Sequence, residues 1–382
     1  MAGPGRLRAG RDLAFLALRP DSAALGSLGH VDDHPRDGAP SGRAGRPDGG
    51  SPILDYPRPR QRLDAQRAHP ADGRGGIRRS ASAKQAMKLS RLTRAEYVCR
   101  PGQLFRRAAR LLRRPFSRDR MTVQLPWGFP ITVNPRESIG RSIVALSALD
   151  LPVTETIWRL LDDGESCADI GANIGYMTSV MAARLRSGGA IWSFEPVPEI
   201  AAELRQNFAA WRPYTRAEFR FHAEALAEAE GERDIHLAAE FAENRGTASL
   251  QAPGRGATRA LRVRTRRLDA LCAASTRFGL VKLDVEGAEA LVLRGAERLL
   301  REGLIRDLVF EEHNPWPAAS TDLLRRHGYQ LWRVTRGRRG PALVPADAVL
   351  SGELDPPTYL ASRETGRVLQ RFAAASWLCL AG

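Results

Sequence analysis

The sequence lacks any long apolar run and contains little cysteine. No stretch approaches the ~18 consecutive apolar residues that a membrane-spanning helix needs, and residues 13–18 are too short for the core of a signal peptide. The four cysteines, Cys99, Cys167, Cys272 and Cys379, are widely scattered. Because they form no C-x-x-C pair and have no histidine at ligand spacing, a zinc site is not expected. This pattern favours buried free thiols in a reducing cytoplasm.

Glutamate is absent from residues 1–86, although it is abundant from Glu96 onward. The segment is rich in Gly, Pro, Ser, Arg and Asp and shows neither helical nor alternating apolar periodicity. We therefore predict that residues 1–86 are disordered. The segment is either a basic tail for an anionic partner or an extension that precedes a true start at Met87. The abrupt change of composition at Met87 favours the second interpretation.

The excess of positive charge lies in the first third of the chain. Of the net charge of +15, residues 1–86 carry +6 and residues 87–120 carry +9, so the remainder is neutral. A strongly basic chain is typical of nucleic-acid-binding proteins, but this neutral remainder weakens that interpretation. Apolar residues at helical spacing, with arginines between them, predict a basic amphipathic helix at 103–116. Such a helix packs on its own domain or lies on an anionic membrane surface.

A short apolar run, a tight glycine turn and a helical pattern follow one another from Cys167. The turn reads DIGANIG, from Asp169 through Gly171 and Asn173 to Gly175, which predicts the opening unit of a Rossmann-like fold. Glycine suits a turn with positive φ and the close approach of a ligand to the backbone. A dinucleotide turn has glycine where Asn173 stands and a longer last interval. The spacing therefore favours S-adenosylmethionine, with Asp169 orienting the turn or meeting the ligand's ammonium group.

An acid follows the next apolar run, at the end of Ala190–Phe194. Glu195 comes 20 residues after Gly175, where nucleoside-binding folds place a carboxylate on the ribose hydroxyls. The alternative for Glu195 is a structural place beside the start of the next helix. Residues 281–289 read VKLDVEGAE, which indicates another buried strand that leads into a helix.

Three motifs in this order, DIGANIG, FEP and KLDVEGAE, together resemble the FkbM family of S-adenosylmethionine-dependent methyltransferases. The resemblance extends over roughly residues 88–380 and includes the turn at 244–249 and the WLCL segment at 377–380. It implies a class I Rossmann-like methyltransferase fold with S-adenosylmethionine as cofactor. It leaves the methyl acceptor open.

The order of the predicted elements indicates an α/β fold. A hairpin (122–125 and 131–133), helices (155–161, 198–211, 288–301 and 318–327) and strands (218–222, 233–238, 260–265, 280–284 and 307–312) are predicted. Strands that alternate with helices give a mostly parallel sheet covered on both faces. Strands at 330–334 and 377–381 are predicted to close one edge as an antiparallel pair. We expect this methyltransferase domain to span residues 121–382.

Acids and a histidine follow the predicted strands and should meet at the carboxyl edge of the sheet. Methyl transfer to a hydroxyl needs in-line positioning and a base for the acceptor's proton. Asp284, Glu286, Glu289 and His313 are the candidates near the acceptor. Asp284 is favoured because it lies within the family-like motif, whereas His313 depends on its placement and on a pKa suited to neutral pH. Glu289 is expected to stabilise the start of its helix. No metal is assigned.

The expected function is O-methylation of a hydroxyl on a sugar, a glycan or another secondary metabolite. The first alternative is a nucleic-acid or protein methyltransferase, which would be favoured if the basic helix lined the acceptor cleft. The second is a Rossmann-like protein that binds the nucleoside without transferring a methyl group. An open acceptor channel that reaches the methyl position would distinguish an enzyme from such a binding protein.

Overall fold

The chain is described by a computed structural model. It describes residues 120–238, 241, 245–246, 248–250, 257–337, 339–350 and 356–381. These residues all belong to one unit of the chain. The segments for which disorder (1–86) and a basic helix (103–116) are predicted lie outside them.

Strands and helices alternate along most of the described residues. The strands are β1 (Met121–Gln124), β2 (Pro130–Val133), β3 (Ser166–Ile170), β4 (Ala190–Phe194), β5 (Glu218–His222), β6 (Ala225–Leu226), β7 (Gly231–Ala238), β8 (Ala257–Arg266), β9 (Phe278–Leu283), β10 (Ile305–Glu311), β11 (Gln330–Arg336), β12 (Pro341–Pro345) and β13 (Thr358–Ser362). The helices are α1 (Ser138–Leu146), α2 (Leu151–Leu160), α3 (Tyr176–Arg184), α4 (Pro198–Trp211), α5 (Leu268–Leu271), α6 (Glu289–Gly295), α7 (Glu297–Arg301), α8 (Ala319–Arg326), α9 (Thr365–Phe372) and α10 (Leu378–Ala381).

The central sheet has the strand order β12-β11-β13-β10-β9-β3-β4-β5. The strands from β10 to β5 are parallel, and β13, β11 and β12 extend one edge in antiparallel fashion. This arrangement confirms the predicted Rossmann-like α/β class. The chain runs outward from β3 to β5 and then returns to β9 on the other side of β3. The carboxyl ends of β3 and β9 therefore frame the crevice in which open α/β sheets bind ligands.

Helices cover both faces of this sheet because successive residues of a strand point to opposite faces. Cys167 and Leu280 belong to one apolar cluster, which includes side chains of α2, α3 and α4. Their neighbours Ala168 and Val281 belong to the other cluster, with side chains of α6, α7 and α8. Every residue of β9 is buried, as is usual for a parallel strand covered on both sides.

The predicted strand at 377–381 is wrong, because residues 378–381 form the short helix α10. The antiparallel neighbour of β10 and β11 is β13 instead, a strand that was not predicted from the sequence. A short buried apolar run fits a strand or a helix equally well. Here the Glu155 carboxylate of α2 decides the outcome, since it accepts hydrogen bonds from the amides of Leu378 and Cys379, each at 2.9 Å.

A buried ion pair holds this C-terminal segment against α2. The Arg159 Nε lies 2.8 Å from the Glu155 Oε1, and both side chains are almost fully buried. The remaining guanidinium nitrogens donate to the carbonyl oxygens of Arg371, Ala374 and Ser376 at 2.6–2.9 Å. Each of the three guanidinium nitrogens of this buried cation thus donates to at least one acceptor, as burial of a charge requires.

A second, smaller sheet has the strand order β6-β8-β7, and residues 245–246 and 248–250 lie on the connection between β7 and β8. Cys167, Cys272 and Cys379 are buried free thiols, as predicted, whereas Cys99 lies outside the described residues. No helix in the described part of the chain has the length and apolar character needed to cross a membrane.

Candidate active site

A cavity of about 290 Å³ opens at the carboxyl ends of β3, β4, β9 and β10. The glycine turn and Glu195 form one side of it, and Asp284, Glu286 and Glu311 line the other. Three of the five predicted cofactor residues, Gly171, Asn173 and Glu195, and two of the predicted acceptor-side residues, Asp284 and Glu286, therefore line one cavity.

The glycine turn has the positive φ values that its sequence predicts. φ is +74° at Gly171, +50° at Asn173 and +92° at Gly175. A Cβ on Gly171 would lie 1.9 Å from the carbonyl oxygen of Asp284, and one on Gly175 would lie 2.5 Å from the Leu204 Cδ1. These glycines are therefore required by close protein neighbours rather than by the approach of a ligand. Gly171 and Asn173 line the cavity, whereas Gly175 lies behind it and contributes through the shape of the turn.

Glu195 supports the turn and also faces the cavity. Its Oε2 accepts a hydrogen bond from the Asn173 amide at 3.0 Å, and its Oε1 accepts one from the Val197 amide at 2.9 Å. Both oxygens keep a further lone pair for a ligand hydroxyl. Burial raises the pKa of Glu195 to about 7. Glu195 thus has the structural place beside the next helix that was expected as an alternative. Its carboxylate still has free lone pairs for the hydroxyls of a ribose.

Asp169 lies beneath the turn and is completely buried. Its Oδ2 accepts a hydrogen bond from the Thr178 hydroxyl at 2.6 Å, and its Oδ1 lies 3.4 Å from the Lys282 Nζ. It is not among the residues that line the cavity. Of its two expected roles, the geometry supports orientation of the turn and not contact with the ligand's ammonium group.

Lys282 lines the cavity from the carboxyl end of β9, next to Leu283, and no role was predicted for it from the sequence. Its Nζ donates to the carbonyl oxygen of Gly171 at 2.9 Å and lies 3.4 Å from the Asp284 Oδ2. Burial alone would lower its pKa, but Asp284, Asp169 and Glu311 raise the pKa above its usual value. A lysine within a buried strand needs such counterions, and this is the signal that could have identified it.

Three carboxylates face the Lys282 side of the cavity. The Asp284 side chain is 36% exposed. Burial, together with repulsion from Asp284, raises the pKa of Glu286 to about 7 and the pKa of Glu311 to about 8. Glu286 has a φ of +52°. Glu311 was missed, although an acid within the apolar run of β10 could have indicated it.

His313 approaches the site only through Glu286. Its Nε2 lies 3.6 Å from the Glu286 Oε2, and its side chain is not part of the cavity lining. The preceding Glu312 is buried, and its Oε1 accepts a hydrogen bond from the Asn314 amide at 2.8 Å. Of this strand end, only Glu311 reaches the cavity.

Glu289 is buried at the start of α6. Its Oε1 accepts a hydrogen bond from the Gly287 amide at 3.0 Å, whereas its Oε2 is buried without a hydrogen-bond partner. Burial raises the pKa of Glu289 to about 7. Its position supports the expected role of stabilising the start of the helix. The carboxylate is buried and accepts its hydrogen bond from the loop that precedes the helix.

Arg245 fixes the connection between β7 and β8 at the rim of the cavity. Its guanidinium nitrogens lie 2.9 Å from each carboxylate oxygen of Glu203 and 2.7 Å from the Glu137 Oε2. The Ser249 hydroxyl donates to the carbonyl oxygen of Glu286 at 2.5 Å. Contacts on both sides therefore hold the described part of the family-like turn at 244–249 over the site.

The charges that line the cavity fit S-adenosylmethionine better than a dinucleotide. The acids that line it are Asp150, Glu195, Glu224, Asp284, Glu286 and Glu311. The cations Arg245 and Lys282 are both engaged by carboxylates. The ionised members of this group of acids would repel a pyrophosphate, whereas a sulfonium and an ammonium group are complementary to them. Phe194, Val197 and Leu226 supply an apolar wall for an adenine ring.

The methyltransferase FkbM domain model matches residues 169–331. This range contains the glycine turn, Glu195 and every acid on the acceptor side of the cavity. The comparison with curated proteins found no match. No group of three or more His, Cys, Asp or Glu side chains within the described ranges is arranged to hold a metal ion.

Distant likeness to solved structures accompanies this match. An rRNA methylase from Streptococcus thermophilus is 10% identical and has a TM-score of 0.31, with 55% of this chain and 93% of that chain covered. An S-adenosylmethionine-dependent O-methyltransferase from Thermotoga maritima is 12% identical and has a TM-score of 0.30, with 61% and 73% covered. The O-methyltransferase of tomaymycin synthesis from Streptomyces achromogenes, solved with S-adenosylmethionine, is 14% identical and has a TM-score of 0.29, with 56% and 81% covered.

These structures are too distant to identify the acceptor of this chain. The family match, the strand order and the cavity at the switch point agree with one another independently of them. The chain carries an FkbM methyltransferase domain and is an S-adenosylmethionine-dependent methyltransferase.

Proposed function

We propose that the enzyme methylates a hydroxyl group of an uncharged or cationic acceptor, such as a sugar, a glycan or another secondary metabolite. The observation that carries this proposal is the set of carboxylates, Asp284, Glu286 and Glu311, on the acceptor side of the cavity. A nucleic-acid acceptor would bring phosphates against these acids, and its recognition normally depends on unpaired Lys and Arg side chains. A neutral hydroxyl meets no such repulsion and can donate to a carboxylate.

In this proposal Asp284 is the base. S-Adenosylmethionine supplies a methyl group on a positively charged sulfur, so its leaving group needs no proton. With the cofactor bound, Asp284 would take the proton of the acceptor hydroxyl, and the methyl group would pass from sulfur to that oxygen with release of S-adenosylhomocysteine. Glu311, which its raised pKa keeps largely protonated at neutral pH, can donate a hydrogen bond to another acceptor oxygen. The walls of the cavity hold the two reactants in line.

The acceptor class can be tested with a methyl-labelled cofactor. The full chain is incubated with labelled S-adenosylmethionine and a cell extract, and the products are separated into small molecules, glycans, RNA and protein before mass spectrometry. We expect label on an oxygen in the small-molecule or glycan fraction. Label found only in RNA or protein would contradict the proposal, as would label on nitrogen or carbon.

The base can be identified with paired variants. Asp284→Asn should lower the rate of label transfer by ~10²–10⁴-fold without a similar loss of cofactor affinity. His313→Ala should have a small effect, because its ring contacts Glu286 rather than the cavity. Glu199→Gln, an exposed change in the first turn of α4, serves as the control. A large loss for His313→Ala with a small loss for Asp284→Asn would reverse the assignment.

We also place the enzyme in a reducing compartment such as the cytoplasm. The buried free thiols Cys167, Cys272 and Cys379 support this placement, since unpaired cysteines are usual where glutathione keeps thiols reduced. The predicted basic helix at 103–116 would add contact with an anionic membrane surface. Sedimentation of the full chain with phosphatidylserine vesicles tests that contact, and no binding would exclude it.

A further inference from the structure

Lys282 joins the two halves of the cavity. On the cofactor side, its ammonium group donates to the carbonyl oxygen of Gly171 at 2.9 Å. On the acceptor side, it lies 3.4 Å from the Asp284 Oδ2. The same group lies 3.4 Å from the Asp169 Oδ1 below the turn. One cation thus contacts the backbone of the glycine turn, its buried support and the carboxylate that faces the acceptor.

The arrangement around Lys282 is fixed rather than adaptable. Only 7% of its side chain is exposed, so water competes little for its donors. Asp169 is held in turn by the Thr178 hydroxyl at 2.6 Å. Because Lys282 extends from the buried strand β9, its ammonium group has an anchored stem and two anchored acceptors. Asp284 is the one partner with substantial exposure, so it is the partner whose position the ammonium group restricts.

The charge state of Lys282 excludes a role as the base. The surrounding acids raise its pKa above the usual value, so it holds three protons throughout the neutral range and has no lone pair to accept another. Its charge also acts on the other acids of the site. It lowers the pKa of Glu195, Glu286 and Glu311, against the burial that raises each of them.

We propose that Lys282 is a positioning residue. Its ammonium group holds the Asp284 carboxylate close to the glycine turn, and this fixes the acceptor relative to the bound cofactor. This inference rests on the proposed role of Asp284 as the base. Lys282 would contribute to turnover through Asp284 and to cofactor binding through the carbonyl of Gly171. Because the effect on turnover passes through Asp284, substitutions of Lys282 and Asp284 should not act additively on the rate.

The test combines Lys282→Met with Asp284→Asn. Each variant is assayed by the initial rate of label transfer to one extract fraction at a saturating concentration of methyl-labelled S-adenosylmethionine, so that a change in cofactor affinity does not affect the rate. We expect Lys282→Met to lower that rate at least about tenfold. The double variant should be no slower than Asp284→Asn alone, because residues in one network do not act additively. The control is Arg245→Met, which also removes a cation from this cavity. Arg245 pairs with Glu137 and Glu203 and not with Asp284. Its effect should multiply with that of Asp284→Asn.

Two further measurements separate positioning from simple loss of structure. The acid limb of the rate–pH profile should move to higher pH in Lys282→Met, because the Lys282 charge would no longer lower the pKa of Glu195, whose carboxylate would accept hydrogen bonds from the ribose hydroxyls. Calorimetric titration with S-adenosylhomocysteine should show an affinity about three- to tenfold weaker, with no acceptor present. Because Lys282→Met leaves Asp169 buried without its counterion, Lys282→Met/Asp169→Asn serves as a second variant when circular dichroism shows that the single variant is unfolded.

The outcomes distinguish this inference from the proposed function. Wild-type transfer rate, pH profile and affinity in a folded Lys282→Met variant would overturn the positioning role even if Asp284→Asn is inactive. Multiplicative effects of Lys282→Met and Asp284→Asn would also overturn it, because Lys282 would then act independently of Asp284. If Asp284→Asn itself keeps its rate, the proposed base is wrong, and the positioning role toward it fails with it.

Discussion

Replacing Glu289 with glutamine should make the stability of the protein less dependent on pH. Burial raises the pKa of Glu289 from 4.5 to about 7, so the folded state binds this proton more tightly than the unfolded chain. The stabilisation is therefore present in full below pH 4.5 and is lost as the pH rises through the folded-state value. Glutamine is neutral at every pH, and its side-chain oxygen can still accept the hydrogen bond from the Gly287 amide.

The size of the effect follows from the two pKa values. Between pH 5.5 and pH 8.5, Glu289 should lower the free energy of unfolding of the wild type by about 2 kcal/mol through linkage. The variant should lack this loss. Its free energy of unfolding relative to that of the wild type should therefore rise by about 2 kcal/mol between pH 5.5 and pH 8.5. In a domain of this size the change corresponds to roughly 4–8 °C in Tm.

Urea unfolding followed by circular dichroism at several pH values measures this difference. The matched control is Glu232→Gln, whose carboxylate is 66% exposed and pairs with Arg262 at the surface. The control should follow the pH dependence of the wild type. If Glu289→Gln follows it as well, the buried carboxyl group does not titrate as its environment requires, and the structural explanation for Glu289 is refuted.

Three other substitutions probe the turn, the cofactor site and the C-terminal ion pair. Glu195→Ala should weaken S-adenosylhomocysteine binding by roughly 1.5–3 kcal/mol, as expected for lost hydrogen bonds to a charged group, and unchanged affinity in calorimetry would leave Glu195 with a structural role alone. Gly171→Ala should lose both binding and thermal stability, since its Cβ would lie 1.9 Å from the Asp284 carbonyl oxygen; a wild-type melting curve would count against that crowding. Glu155→Ala should lower the free energy of unfolding by about 3–5 kcal/mol, because Arg159 would stay buried without its counterion. A loss below about 1 kcal/mol in urea unfolding would show that Arg159 finds another partner.

The local pattern of the sequence was enough to predict the five parallel strands, the glycine turn and the α/β class of the sheet, but not the order of its strands. Ala190–Phe194 and Phe278–Leu283 are apolar runs of strand length, and the glycines between strand and helix require positive φ. These features depend on neighbours in sequence, so periodicity reveals them. The helix at 288–301 was predicted as one element, but it is divided at Ala296 into α6 and α7. That break depends on packing and has no local signal such as proline.

The parts of the site that were missed depend on contacts between distant segments. Lys282 and Glu311 gain their roles from strand register, which sequence spacing does not specify. His313 was predicted to approach the acceptor because it follows a strand end, but the direction of a loop side chain cannot be inferred from its position in the chain. The wrong prediction of a strand in place of α10 has the same origin. Glu155 lies more than 200 residues before the two amides that donate hydrogen bonds to it.

The pairing of β3 with β9 also decides when the site can form. The contact between Lys282 and Gly171 spans 111 residues of chain, and Cys167 of β3 lies beside Leu280 of β9. Closing so long a loop is entropically unfavourable, and folds rich in such pairings fold slowly. A chain that has formed only β3, β4 and β5 has a glycine turn but no opposite wall. Recovery of cofactor binding during refolding therefore reports the arrival of β9, and a chain still emerging from the ribosome cannot bind its cofactor at this cavity before residue 284 is free.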